Sequence, residues 1–138
     1  MTLVTPHPPR LEHINITVPD SEHTARLMVH LFGWQVRWRG KAASGGHTVH
    51  VGAAEHYLAL YSPPAGTPGL RRFKKGVPLN HIGIEVDDLI AAEARVRAAG
   101  LSPFGHDDYV PGRRFYFFDD SNIEFEIVSY APVMDVEA

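Results

Sequence analysis

Two histidines open two copies of one pattern. His13 in "LEHINITVPD" and His81 in "LNHIGIEVDD" both begin His-Ile-x-Ile-x-Val-x-Asp, and near the other end Glu124 and Glu126 alternate through "IEFEIVSY". Neutral imidazole nitrogen and carboxylate oxygen bind borderline-to-hard divalent cations. Two His and one carboxylate on one side of such an ion leave positions open for water or substrate, the form of a catalytic rather than a structural site. Taken singly, each residue is ordinary: a His at a strand start is commonly a surface group, and a Glu on an alternating strand is commonly the wet face of a sheet. Their equivalent places in a repeated unit are what join them.

The elements that must position them follow from periodicity. In a strand successive side chains point to opposite faces, so Ile14, Ile16 and Val18 share one side and His13, Asn15 and Thr17 the other. The second copy puts Ile82, Ile84 and Val86 against His81, Gly83 and Glu85. The last strand puts Ile123, Phe125 and Ile127 opposite Glu124 and Glu126. After each His strand comes a helix. Asp20 or Ser21 caps a run carrying Leu27, Leu31 and Phe32 that Gly33 stops, and Asp87 or Asp88 caps a run carrying Leu89, Ala92, Val96 and Ala99 before Gly100. Downstream the period falls to two in "WQVRW", "HTVHV", "YLALYS", "RFYFF" and "IEFEIVSY", with a short strand in the turn-rich "SPFGHDDYVPG".

Each half therefore reads β-α-β-β-β, and a four-stranded sheet with one helix keeps one face bare until it is paired. The fold class is α+β: a single domain over 1–138, with modules at about 11–62 and 79–130 and a Pro/Gly-rich linker at about 63–78. The two βαβββ modules are expected to pair into a curved eight-stranded mixed sheet whose concave side is a central cleft carrying the histidines.

Composition narrows the partners. Hydrophobic residues make up 44% of the chain, enough for a real core, and 13 Lys+Arg against 16 Asp+Glu give a net charge of −3 without a basic stripe, which disfavours nucleic acid. Arg71, Arg72, Lys74 and Lys75 read as a solvated linker. With no cysteine, disulfides, zinc-thiolate sites and thiol nucleophiles are excluded. The start lacks signal-peptide character and no apolar run approaches the ~20 residues that span a bilayer. The expectation is a cytoplasmic protein, away from membranes, that takes a small-molecule substrate.

The paired modules, the two "H-I-x-I-x-V-x-D" openings and the ending "FYFFDDSNIEFEIVSY" resemble the vicinal oxygen chelate superfamily over about Leu11 to Tyr130. That superfamily includes glyoxalase I, extradiol dioxygenases, fosfomycin-resistance enzymes and bleomycin-resistance proteins. The resemblance implies a glyoxalase-like fold and one divalent metal ion (Fe, Mn, Zn or Ni) held by His13, His81 and Glu126, with Glu124 left as a pocket or rim residue. It implies an enzyme that chelates adjacent oxygens of a small substrate and stabilises an oxyanion, by lyase or isomerase, ring-cleaving dioxygenase or thiol-transfer chemistry. It also implies a homodimer. Glyoxalase I places a fourth, acidic or amide ligand where this chain has Ala59, so the three-ligand enzymes are the nearer parallel. The alternative within the resemblance is a metal-free sequestration protein of the bleomycin-resistance type.

Tyr116 and Arg114 share a face on the strand before Glu126, as a proton donor and an anion-binding group beside the metal or as an aromatic wall and a turn-end arginine. Asn15, Thr48, His50 and Tyr57 point to the cleft as pocket residues. His47 and His56 have no face fixed by parity, because "GAAE" can hide a bulge. His7, His23, His30 and His106 are expected to titrate in solvent.

Overall fold

The computed structural model describes residues 8–43, 45–67, 74–107 and 112–132. Its elements follow the doubled order: β1 (His13–Thr17), α1 (Ser21–Phe32), β2 (Gln35–Lys41), β3 (His47–Gly52) and β4 (Tyr57–Ser62), then β5 (Ile82–Glu85), α2 (Leu89–Ala98), β6 (Phe104–Asp107), β7 (Arg113–Phe118) and β8 (Glu124–Ser129). The eight strands divide by hydrogen bonding into two four-stranded mixed sheets, one per module, ordered β1-β4-β3-β2 and β5-β8-β7-β6. In each, the first strand, which begins at His13 in one module and directly after His81 in the other, lies at an edge and runs parallel to the module's last strand, while the other pairs are antiparallel.

The helix caps are equivalent. Asp20 accepts from the His23 N–H and Asp88 from the Ala91 N–H, each satisfying a donor that the first turn leaves free. Gly33 stops α1 in the left-handed region at φ 66°, where a side chain would be strained. Among the described residues no helix is long and apolar enough to cross a membrane.

Period two sorts the strands as the sequence implies. Ile16, Val49, Val51, Leu58 and Leu60 of the first module and Ile82, Phe115, Phe117, Phe125 and Ile127 of the second are buried with Ala25, Met28 and Leu31 of α1 and Ala92 and Val96 of α2 in one continuous core. The modules join on their helix sides. α1 touches α2, the Phe32 ring lies 6.1 Å from that of Phe125, and the Arg95 Nε–H donates to the Leu31 carbonyl at 3.0 Å. His23 donates to Asp120 at 2.7 Å, and His106 is bonded to Glu93, so two histidines that are exposed as expected also tie elements together. His47 also has a partner, donating to Glu22 at 3.1 Å. Glu22 is held in turn by Arg39, which keeps its carboxyl below the usual range.

Candidate metal and substrate site

The sheet faces turned away from this core carry the residues with chemistry. In the first module the register sets His13 opposite Tyr57, Asn15 opposite Ala59, His50 opposite Ala59 and Thr48 opposite Tyr61, so all six predicted residues of that half share one face. In the second, Gly83 lies opposite Glu126, Tyr116 opposite Glu126, Glu124 opposite Phe118 and Arg114 opposite Val128. His81, Glu124, Glu126, Tyr116 and Arg114 likewise occupy one face.

Each histidine is backed by the residue before it. His13 Nδ1–H donates to Glu12 Oε1 at 2.9 Å, and His81 Nδ1–H donates to Asn80 Oδ1 at 2.8 Å. With the proton held on Nδ1, the neutral ring keeps its lone pair on Nε2, the arrangement in which a metal-ligating imidazole is oriented by a second acceptor. The His13 bond is also the main reason that the Glu12 carboxyl is held below its ordinary range. Neither Glu12 nor Asn80 was singled out from the sequence, although "LEH" and "LNH" both place a side-chain acceptor directly before the repeated histidine.

Glu126 is held by two neighbours. Its Oε1 accepts from the Tyr116 hydroxyl at 2.5 Å and lies 3.5 Å from Arg114 Nη1. Its Oε2 lies 3.8 Å from the point where a Cβ on Gly83 would stand, so the glycine leaves room beside that oxygen. The Tyr116 ring meets His81 edge-on at 5.9 Å. Glu124 is only 4% exposed. It accepts from Lys75 Nζ at 2.6 Å and lies 3.7 Å from His81 Nδ1. Lys75 is exposed, as a solvated linker implies, yet its ammonium pairs with this buried carboxylate; its partner lies 49 residues away in sequence, beyond the reach of any local pattern. Arg71 and Arg72 lie outside the described residues.

Among the described residues no three His, Cys, Asp or Glu side chains come close enough together to hold a metal ion, although His13, His81 and Glu126 are all described. The edges of β1 and β5 border a cavity of about 340 Å³ lined by Leu11, Ile14, Trp34, Leu58, Ile82 and Ile84 together with Glu12, His13, His56, Tyr57, Gly83 and Glu85. Leu11 is 76% exposed there. As a donor set the residues suit a divalent cation: two imidazoles with Nδ1 occupied and a carboxylate with one oxygen held in place.

Residues 12–117 match the model of the Glyoxalase/Bleomycin resistance protein/Dioxygenase superfamily, and the chain belongs to that family. Its fold is shared with a glyoxylase/bleomycin resistance protein/dioxygenase domain from Frankia sp. EAN1pec, at 22% identity and a TM-score of 0.76 over 89% of this chain and 98% of that one. A mutant of the fosfomycin resistance protein FosX from Listeria monocytogenes, solved with Mn(II) and 1S,2S-dihydroxypropylphosphonic acid, is 18% identical with a TM-score of 0.71, covering 92% and 96% of the two chains. TnmS3, an antibiotic binding protein from Streptomyces sp. CB03234, is 20% identical with a TM-score of 0.67, covering 88% and 95%. No curated protein matches the chain.

Proposed function

We propose that this protein is a homodimeric, divalent-metal-dependent enzyme for a small anionic substrate with adjacent oxygens, each site taking His13 from one chain and His81 and Glu126 from the other. The observation that carries the reading is the pair of equivalent imidazoles, each backed through Nδ1 by its preceding residue, on separate edge strands of separate sheets. An edge strand leaves a row of N–H and C=O groups open to pairing. A second copy related by two-fold symmetry sets its β5 beside β1 and its β1 beside β5. Both half-sites are completed at once and the apolar edges around Leu11 are covered.

Within such a site a divalent cation supplies Lewis acidity to the adjacent oxygens of the substrate. The protein's own charges are balanced beforehand, Lys75 against Glu124 and Arg114 against Glu126. A divalent cation held by His13, His81 and Glu126 would add net positive charge to a site already balanced, which favours an anionic chelating group on the substrate. Tyr116, with its hydroxyl on Glu126, is placed to hold or release a proton beside the substrate, and Arg114 orients the carboxylate and an anionic substituent. The first module offers Asn15 and Ala59 where a proton-abstracting carboxylate would be needed. Acid-base work thus falls to the Tyr116 side, and the reaction is one that forms an oxyanion and takes its proton from there.

Manganese, iron, nickel and zinc titrated into EDTA-treated protein test the reading. We expect one tight site per chain, a rise in thermal stability on loading, and loss of both in His13→Ala, His81→Ala and Glu126→Gln. A protein indifferent to the whole divalent series is instead a metal-free binder.

A further inference from the structure

The face that carries His13 also carries a row of aromatic rings. His13 stacks on Tyr57 with centroids 4.9 Å apart and planes 14° apart. Tyr57 stacks on His50 at 4.7 Å and 28°, and His50 meets Trp38 at 5.1 Å and 52°. The spacing is that of neighbouring strands. Rings stacked at that spacing stand upright on the sheet, faces toward one another and edges toward the open side. Trp38 ends the row differently: a Cβ on Gly40 would stand 2.7 Å from its Cζ2, so the indole leans down over the bare backbone of β2.

A bulge makes this possible. Val36 pairs with Val51 and Trp38 with His50, leaving Arg37 as the extra residue. Strict alternation would put Trp38 on the core side with Val36; the extra residue turns it to the open face instead. Arg37 places its guanidinium 4.5 Å from the Tyr57 centroid. Cross-strand packing alone would account for the inner rings. It does not account for Trp38, which remains 49% exposed on a surface where glycine has cleared the space beneath it.

We infer that Trp38, His50 and Tyr57 form a binding platform for a planar, electron-rich aromatic body of two or more fused rings, carried by the ligand whose oxygens are held at His13. The inference rests on the reading of His13 as part of the site, since that residue is both the first ring of the row and the proposed ligand. Upright ring edges are the positive part of the aromatic quadrupole and meet the negative face of a ligand ring, while the open indole face stacks on it directly. The Arg37 cation, held over the Tyr57 ring, favours electron-rich or anionic rings. Three ring-to-ring steps from His13 to Trp38 exceed what one six-membered ring covers.

The test uses 2-naphthol, which has one hydroxyl and cannot chelate, and decahydro-2-naphthol, of similar bulk without π electrons. Binding to EDTA-treated protein is followed by calorimetry and by side-chain NMR shifts. We expect 2-naphthol to bind about tenfold more tightly than its saturated analogue, Trp38→Leu to remove that preference, and Trp38→Phe to restore part of it. The thermal unfolding of both variants reports that the fold is intact. Equal affinity for the two probes, or an unchanged preference in a folded Trp38→Leu protein, overturns the platform. With Mn(II) present the pair becomes naphthalene-2,3-diol and its decahydro analogue. Tight, metal-dependent binding of both diols with no dependence on Trp38 would sink the platform and leave the metal reading standing. Trp38-dependent binding of 2-naphthol in a protein that takes no metal would support the platform and remove the metal.

Discussion

At the scale of single residues, the account depends on which nitrogen of each imidazole carries the proton. Glu12 and Asn80 differ in charge, so the two half-sites differ in ligand strength: the carboxylate behind His13 makes that ring the stronger electron donor to a cation. Glu12→Ala is expected to lower metal affinity about tenfold or more and Asn80→Asp to raise it. Nitrogen-15 shifts of the metal-free protein should report Nδ1–H at both rings, and loss of that preference for His13 in Glu12→Ala. Lys75 makes a different prediction. Removing it in Lys75→Met leaves Glu124 buried without its counter-charge. The expected loss is about 1–2 kcal/mol in chemical denaturation, below the 3–5 of a fully buried pair because the ammonium keeps contact with water. Tyr116→Phe should keep metal binding and lower turnover, since it removes the proton and not a ligand.

At the scale of elements, faces were legible in the sequence and irregularities were not. Period two in "HINIT", "HTVHV", "YLALYS", "RFYFF" and "EFEIVS" assigned the predicted site residues on those strands to their observed faces, because one side of each strand had to meet a helix. The caps were legible to within one residue, Asp20 or Ser21 and Asp87 or Asp88, and the structure selects Asp20 and Asp88; the stop at Gly33 was legible outright. The bulge at Arg37 was not: "WQVRW" alternates without interruption, and only the pairing with β3 shows where the extra residue falls. Gly40→Ala is expected to lift Trp38 off the strand, which its indole fluorescence would register as a change in exposure. The turn before β8 carries a second prediction. Asp119 accepts N–H bonds from Ser121 and Ile123, both at 2.9 Å, yet burial pushes its pKa from 3.8 up to about 6. A raised carboxyl pKa favours the protonated form in the folded state. Its contribution is full below pH 3.8 and is lost as the pH rises to about 6. Asp119→Asn, which keeps the accepting oxygen, should flatten that fall in melting temperature and be the more stable protein at neutral pH.

At the scale of the molecule, the doubled sequence announced the modules and their helix-side core, but not where the two open faces meet their counterparts. Identical hydrophobic patterns serve a pairing within one chain and a pairing between two, so periodicity cannot separate them. The proposal takes the second, on the two equivalent imidazoles lying on separate sheets; among the described residues of one chain no three His, Cys, Asp or Glu side chains form a metal-ligand cluster. Complementation tests the shared site most directly. His13→Ala and His81→Ala proteins, carrying different tags, are unfolded together, refolded, and titrated with Mn(II) beside each variant alone. The account predicts no tight site in either variant and, in the mixture, recovery of up to about a quarter of the wild-type sites, because half of the dimers are mixed and each holds one complete site. Isolated mixed dimers that bind no metal, or a single variant that still does, would contradict it.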